Sequence, residues 1–265
     1  MRVTLKKYLK VYKIFGSNVL SSLFASSLDF LLLLIGKLVI FYILMFWVNS
    51  MFRHVSDLNG YSRDQVIVFF AVSFLMDKLI QVFFYRGFQL LPGWINEGDF
   101  DRLLLLPANS LFLSAFRITD WNDILVMIPI LFVLVSKLFT VGGFSLLSMP
   151  IFLMFVFLGL SVAFCFFTIV SSLAFRFIKI EAIMRIYRDF MYLAKFPPEV
   201  FSLGWTVLLT SVVPIFIIVS LPAKAVLGLL TWPWVCTGFG SLAMLFVVAI
   251  KAWKWGLHGY SSVGS

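Results

Sequence analysis

Charged residues are scarce in this chain of 265 residues, since Asp, Glu, Lys and Arg together make up only 12% of the sequence. Apolar residues reach 62%, against about 45–50% in ordinary soluble domains, and the mean hydropathy is +1.05. A soluble globular protein is therefore excluded. The 32 Phe and 8 Trp also exclude a disordered, solvated chain. What is left is an all-α membrane protein that crosses the bilayer several times.

Cysteine and histidine occur only twice each, and both cysteines, Cys165 and Cys236, lie inside apolar runs. Neither residue type forms a metal or redox motif. No G-x-x-x-x-G-K-[ST] loop is present to hold the phosphates of ATP, since Gly36-Lys37 stands within an apolar run and is followed by Leu38. We therefore expect this chain to bind no cofactor or metal and to have no catalytic activity.

The apolar runs predict six crossings. A bilayer core about 30 Å thick takes roughly 20 apolar residues per helix, so short loops fill the rest of the chain and no room is left for a soluble ATPase domain. Residues 1–265 are expected to form one transmembrane domain. The predicted spans are 28–52, 65–91, 124–141, 146–175, 201–221 and 234–253.

The fifth crossing has two interpretations. Residues 185–195 carry four charges, each of which costs roughly 2.5–3.5 kcal/mol at the centre of a lipid-facing helix. This cost favours 201–221 as the span, with 178–196 lying on the membrane face. In the alternative layout, 178–196 crosses with its charges facing a cavity. Residues 201–230, broken by Pro214 and Pro222, then form a re-entrant hairpin beside a transport path.

Basic residues predict the orientation of the chain. Residues 1–27 carry five Lys or Arg among apolar side chains, which predicts an interfacial amphipathic helix that contacts lipid head groups. With the N-terminus inside, the inner segments hold 15 Lys/Arg and the outer loops three. This asymmetry predicts that both termini lie in the cytoplasm. The net charge of +9 thus indicates membrane orientation and not nucleic-acid binding.

The inner loop between the second and third spans is the most informative stretch. Its sequence INEGDFDRLLLLP mixes acidic residues with Phe and Leu, which predicts a short amphipathic helix at about 95–106. Gly98-Asp99 would start it, because an Asp carboxylate can cap free backbone N–H groups. Two interpretations are open at this point: a docking element for a soluble partner, and a solvated connector.

Three charged residues fall inside predicted spans: Lys37 in the first, and the adjacent Asp77 and Lys78 in the second. Ionisable groups in hydrocarbon are costly, so each is a candidate for a role in gating or translocation. The other interpretation is structural. In that case an internal Asp–Lys pair orients two helices, and Lys37 extends its ammonium toward the interface.

Four segments together resemble the ABC-2-type transporter permeases, in the six-span bacterial branch once grouped as a domain of unknown function. GDFDRLLLLPANSLF resembles the family pattern G-x-L-D-x-L-L-L-x-P-x-x-x-L, with Phe100 in place of the usual Leu. The other three segments occur in the family's order. They are LNGYSRDQVIVF at 58–69, FPPEVF at 196–201 with two later prolines, and the tail WKWGLHGYSSVGS at 253–265.

The resemblance implies the permease half of an ATP-driven exporter in the bacterial cytoplasmic membrane. Its partners would be two nucleotide-binding ATPase subunits, which carry ATP and Mg, and a second permease chain, identical or sister. The substrate would be hydrophobic or amphipathic. The loop helix would be the coupling helix that docks on the ATPase through Glu97, Asp99, Phe100, Asp101 and Arg102. The competing hypothesis is a membrane protein without transport activity, such as an immunity or assembly factor.

Overall fold

A computed structural model describes residues 27–118, 120, 122–141, 148–177 and 181–260, together with Tyr12. Within these residues the chain is helical, and the only β-type pairing is a single bridge between Leu58 and Tyr61. The all-α fold class is thus confirmed. The interfacial helix predicted at 1–27 lies outside the described residues, apart from Tyr12 and Ser27.

Five helices are long and apolar enough to cross a membrane, and a bent pair adds a sixth candidate. The long helices are α1 (Ser27–Met51), α2 (Arg63–Asn96), α5 (Asn122–Val141), α6 (Ser148–Ser172, extended by a 3₁₀ turn at Leu173–Phe175) and α10 (Trp232–His258). The shorter helices are α3 (Asp99–Leu104), α4 (Ser110–Phe116), α7 (Glu181–Met191), α8 (Leu203–Val207, continued by a π-helical turn at Leu208–Val212) and α9 (Ile215–Val226).

Helix α2 is the central rod of the bundle. It starts with a capping box, in which the Ser62 side chain accepts from the Gln65 backbone and the Gln65 side chain accepts from the Ser62 backbone. A π-helical turn at Gln81–Tyr85 interrupts the rod. Its 34 residues span about 50 Å at a rise of about 1.5 Å per residue. The rod is therefore longer than a bilayer core of about 30 Å.

Burial distinguishes the central helices of the bundle from the peripheral ones. Most of α2 is buried, whereas α1 and α10 expose most of their apolar side chains. Helices α5, α6 and α9 pack around α2. At one close approach, a Cβ on Gly159 of α6 would lie only 2.7 Å from the carbonyl oxygen of Ile218 in α9. Only glycine allows the two backbones to come this near.

The bundle has two distinct ends. We call the end with residues 52–62 and 227–231 the outer end, and the end with residues 97–109 the inner end, following the orientation that the basic residues predict. At the outer end, the Lys137 ammonium donates to the Asp64 carboxylate at 2.9 Å. At the inner end, Trp253 of α10 donates to the Ser110 hydroxyl at 3.3 Å.

Residues 187–200 run from the inner half of the bundle to its outer end. The ring of Tyr187 lies 4.5 Å from that of Phe167, near the inner end of α6. Phe196 packs against Phe70 in the outer part of α2. The Tyr61 hydroxyl then donates to the Glu199 carboxylate at 3.0 Å in the outer loop.

Helices α8 and α9 form a sharp bend of 99° and not one straight helix. Val213 is extended at the bend, and Pro214 lacks the N–H that a continuous helix needs. At one end of the pair, the Thr206 hydroxyl donates to the Pro198 carbonyl. At the other, Lys224 of α9 pairs with Glu199 and stacks over Trp234. Both ends of the pair therefore lie at the outer end of the bundle.

These contacts favour the alternative layout, in which 178–196 crosses and 201–230 forms a hairpin at the outer end. The prediction of 201–221 as the fifth span assumed that the charges of 185–195 face lipid. In the structure, Arg188 and Lys195 line a cavity between helices, which lowers the cost of the crossing for these two of the four charges.

The position of Leu203 distinguishes the two layouts. This side chain is 80% exposed and lies at the outer end if α8 and α9 form a hairpin, but at the inner end if 201–221 crosses. We expect Leu203→Cys, in a Cys165→Ala/Cys236→Ala background, to react with a membrane-impermeant maleimide added outside the cell.

Two reference variants calibrate this measurement. Val55→Cys marks the outer loop and Leu105→Cys marks the inner end, and both side chains are exposed. Labelling of Leu203→Cys only after the membrane is opened, as expected for Leu105→Cys, would contradict the hairpin.

Candidate functional site

The short helix α3 lies beyond the inner end of α2. The chain turns at Gly98, whose φ of +77° falls in the left-handed region that glycine adopts without strain. The predicted helix start at Gly98-Asp99 is confirmed, with Gly98 as the N-cap residue and without a side-chain cap hydrogen bond. Asp99 and Asp101 stand in the first turn, where their negative charges interact favourably with the positive end of the helix dipole.

Helix α3 is anchored to the rest of the chain by two aromatic residues and one hydrogen bond. The Phe100 side chain has no exposed surface and packs against Phe175 at 5.1 Å and Tyr260 at 5.2 Å. The Tyr260 hydroxyl donates to Oδ1 of Asp101 at 2.9 Å. These contacts join α3 to the inner ends of α6 and α10.

The opposite face of α3 is open. Glu97 is exposed, the Asp99 side chain is 43% exposed and the Arg102 side chain is 83% exposed. Arg102 reaches back to Asp99 at 3.3 Å. Leu105, which the sequence analysis did not single out, is 85% exposed at the end of the helix. We call Glu97, Asp99, Arg102 and Leu105 the α3 face.

The structure therefore divides the five residues predicted for docking. Glu97, Asp99 and Arg102 lie on the open face, whereas Phe100 is buried and Asp101 is held by Tyr260. The sequence does contain a clue that Leu105 is exposed, because Leu105 belongs to the Leu run at 103–106 on a short helix. Leu103 is buried, so a residue two positions later on a helix must lie on a different face.

The charges inside the spans form one cluster. Lys37 of α1 donates to Oδ1 of Asp123 at 2.7 Å and lies 3.7 Å from Asp120. Lys78 of α2 lies 3.6 Å from the same Asp123 oxygen and 3.1 Å from Asp77. Asp123, which is fully buried in the first turn of α5, thus links three helices.

This cluster supports the structural interpretation of Lys37, Asp77 and Lys78, with a partner that the sequence analysis missed. Asp123 falls where the inner loop meets the third span, so it was assigned to the loop. The clue was electrostatic, because two lysines at similar depth in neighbouring helices require a shared anion.

A cavity of about 160 Å³ adjoins the cluster, between α1, α2 and α7. Lys37, Asp77 and Lys78 line one side of it, and Arg188 and Lys195 line the other. The π-helical turn of α2 begins at Gln81, which donates to Asp77 at 2.8 Å in the same wall. Such turns often occur at functional sites.

Removing the charge of Asp123 tests the role of the cluster. Asp123→Asn keeps the side-chain shape but deprives two lysines of a carboxylate. Removal of one partner from a buried ion pair costs about 3–5 kcal/mol. We expect the lower end of this range for the free energy of unfolding in detergent, because the Lys37 side chain is 24% exposed.

Two further variants serve as controls for this experiment. Asp120→Asn should lower stability much less, since Asp120 is partly exposed and 3.7 Å from Lys37. Adding Lys37→Met to Asp123→Asn should restore part of the loss. If the double variant loses as much free energy of unfolding as Lys37→Met and Asp123→Asn lose separately and added together, Lys37 and Asp123 do not stabilise each other.

Tyr260→Phe tests the anchor of α3. Without the hydroxyl, we expect faster hydrogen exchange of the backbone amides of residues 99–104 at neutral pH, measured by mass spectrometry. Tyr42→Phe, on the exposed surface of α1, should leave this exchange unchanged. Equal exchange in wild type and Tyr260→Phe would contradict the anchoring role.

The same residue predicts a pH dependence. Burial of the phenol and its bond to Asp101 raise the pKa of Tyr260 to about 12. Since this value lies above the usual pKa of about 10, the hydrogen bond stabilises the fold fully below pH 10 and is lost as the pH rises through 12. A difference titration of tyrosinate absorbance, wild type minus Tyr260→Phe, should show one phenol with this pKa.

Comparison with known proteins places these features in a family. The sequence model of the ABC-2 family transporter proteins matches residues 38–264, which include α2, α3 and all later helices. No curated protein matches the chain. Because the matched segment covers most of the sequence, the chain belongs to the ABC-2 family of transporter membrane proteins.

Proposed function

We propose that the chain is the permease subunit of an ATP-driven exporter that moves a hydrophobic or amphipathic substrate by alternating access. Two separate ATPase subunits would supply the energy, and a second permease chain, identical or sister, would complete the transport path. The observation that carries this proposal is the α3 face. It is a charged, Leu-tipped surface beyond the inner end of the bundle, fixed to the same chain by Phe100 and Tyr260.

The attachment of α3 gives a route for mechanical coupling. Helix α3 follows α2 after a turn of two residues, and it also contacts the ends of α6 and α10. A force applied to the α3 face would therefore act on the central rod and on two neighbouring helices together. Rigid-body tilting of packed helices is a common form of switching between conformations.

ATP and Mg belong on the partner in this proposal. Within residues 1–265 the sequence has no G-x-x-x-x-G-K-[ST] phosphate-binding loop. ATP binding would close the two ATPase subunits, and their movement would tilt the two copies of α3. The permease pair would then pass from inward-open to outward-open.

The proposed location is the cytoplasmic membrane of a bacterium, with α3 in the cytoplasm. The distribution of Lys and Arg supports this orientation, because residues 1–27 carry five basic residues and residues 86–123 carry three, against two in the outer loop 53–64. The multi-pass arrangement itself is supported by the family and by the long apolar helices.

Changes on the α3 face test the docking. We expect Arg102→Glu combined with Leu105→Asp to abolish co-purification with the ATPase and substrate-stimulated ATP hydrolysis, while the melting temperature stays within the range of the wild type. Both side chains are more than 80% exposed and hold no buried contact that the fold needs. Asp101 is not a suitable position for this test, because its bond to Tyr260 would make its loss affect folding as well.

Lys254→Glu is the matched control, because Lys254 is an exposed cation at the inner end of α10. It should leave ATPase binding intact. If the α3 double variant retains normal coupling, docking occurs elsewhere. If the wild type carries no ATPase when purified from native membranes, the hypothesis of an immunity or assembly factor replaces the permease.

A further inference from the structure

We propose that the cavity between α1, α2 and α7 binds one anionic group, a phosphate or a carboxylate, that belongs to an amphipathic molecule taken from the membrane. This inference goes beyond the proposed transport function, because it requires neither an ATPase nor a conformational cycle. It rests on the charges that line the cavity, on their partners and on the size and opening of the cavity.

Lys195 is the main observation. Its side chain is only 6% exposed and lines the cavity. The ammonium lies 3.7 Å from the centre of the Tyr192 ring and 4.4 Å from that of Phe74. Among the described residues, no carboxylate lies within ion-pair distance of it. Two ring faces stabilise a cation only in part, so a buried ammonium in this position favours an added anion.

Arg188 is the second cation. It lies on α7, lines the same cavity, and forms no ion pair with any residue in the described part of the chain. A guanidinium offers several N–H donors in one plane, which suits the oxygens of a phosphate or carboxylate. Arg188 and Lys195 therefore present two cations to one small space.

The carboxylates nearby are already engaged. Asp77 accepts from Gln81 at 2.8 Å and lies 3.1 Å from Lys78. Asp123 is held by Lys37 and Lys78. The cations of the cluster are thus matched within the chain, whereas the two on the α7 side of the cavity are not. The α7 side of the cavity is therefore electropositive, which selects an anion.

Size and shape indicate which part of the ligand enters. Cavities that hold a whole drug-sized ligand measure about 300–1,000 Å³, whereas this one measures about 160 Å³. It has room for a head group only. Ile40 and Tyr192 line it and are themselves about half exposed, so the cavity opens to the apolar surface between α1 and α7. A hydrocarbon tail would lie along that surface.

A binding measurement on the purified full-length chain in detergent tests this inference. The probes are phosphatidic acid and phosphatidylcholine with the same short acyl chains, and inorganic phosphate. We expect phosphatidic acid to bind saturably in native mass spectrometry. Each lost charge-assisted hydrogen bond weakens binding by at least about tenfold, so Lys195→Met combined with Arg188→Gln should raise the Kd by at least about a hundredfold.

Matched variants separate a site from general charge attraction. Lys251→Met combined with Lys254→Met also removes two cations, but from the exposed surface of α10, and should leave the Kd unchanged. Lys195→Arg should retain binding. Arg188→Gln alone, at an exposed position, keeps the test valid if Lys195→Met does not fold.

Several results would overturn the inference. The first is equal binding of phosphatidic acid by wild type and the cavity variants. The second is an equal loss of binding in the α10 variant, which would indicate attraction to net charge only. The third is competition by inorganic phosphate at the same concentration as the lipid, or equal binding of phosphatidylcholine, which would mean that the site does not select an anionic amphiphile.

Discussion

A charge inside a membrane needs a partner, and Asp123 is the partner on which the packing of this bundle depends. Its carboxylate is fully buried and contacts Lys37 of α1 and Lys78 of α2 from the first turn of α5. Each ammonium alone would cost several kcal/mol in hydrocarbon. Together, the three groups make the relative positions of three helices specific, because any sliding of one helix would separate an ion pair.

This constraint also explains how α2 can serve as a rod between two environments. The helix is held near its middle by Lys78, which pairs with Asp123 of α5, starts at the outer end with a capping box, and reaches past the inner end of the bundle. Helix α3 then adds contacts of Phe100 and Tyr260 to α6 and α10. Helix α3 is thus joined through α2 to the level of the charge cluster, with a π-helical turn between them.

Long apolar runs were enough to predict the lipid-exposed helices, whereas contacts between distant residues could not be read from the sequence. The runs predicted long helices close to where Ser27–Met51 and Trp232–His258 occur. The cost of four charges in lipid argued against a crossing at 178–196, because a sequence does not reveal which helix face meets a cavity. Phe100 was assigned to the docking surface for a related reason, since its burial depends on Phe175 and Tyr260, which are distant in sequence.

Buried charges need partners on both walls of the cavity. On the α2 wall the partners are carboxylates of the chain itself, whereas on the α7 wall the partner that the described residues lack makes the cavity specific for an anion. The α2 wall is neutralised by Asp77 and Asp123, so it offers fixed dipoles and little net charge. Lys195 and Arg188 on the opposite wall have no carboxylate within ion-pair distance among the described residues, and they face a space too small for a whole amphiphile. In a bilayer, water can satisfy such cations only where the cavity opens. An anionic head group satisfies them throughout, and its tail remains in the hydrocarbon from which it came. The geometry therefore selects a ligand by its charge at one end and by its solubility in lipid at the other.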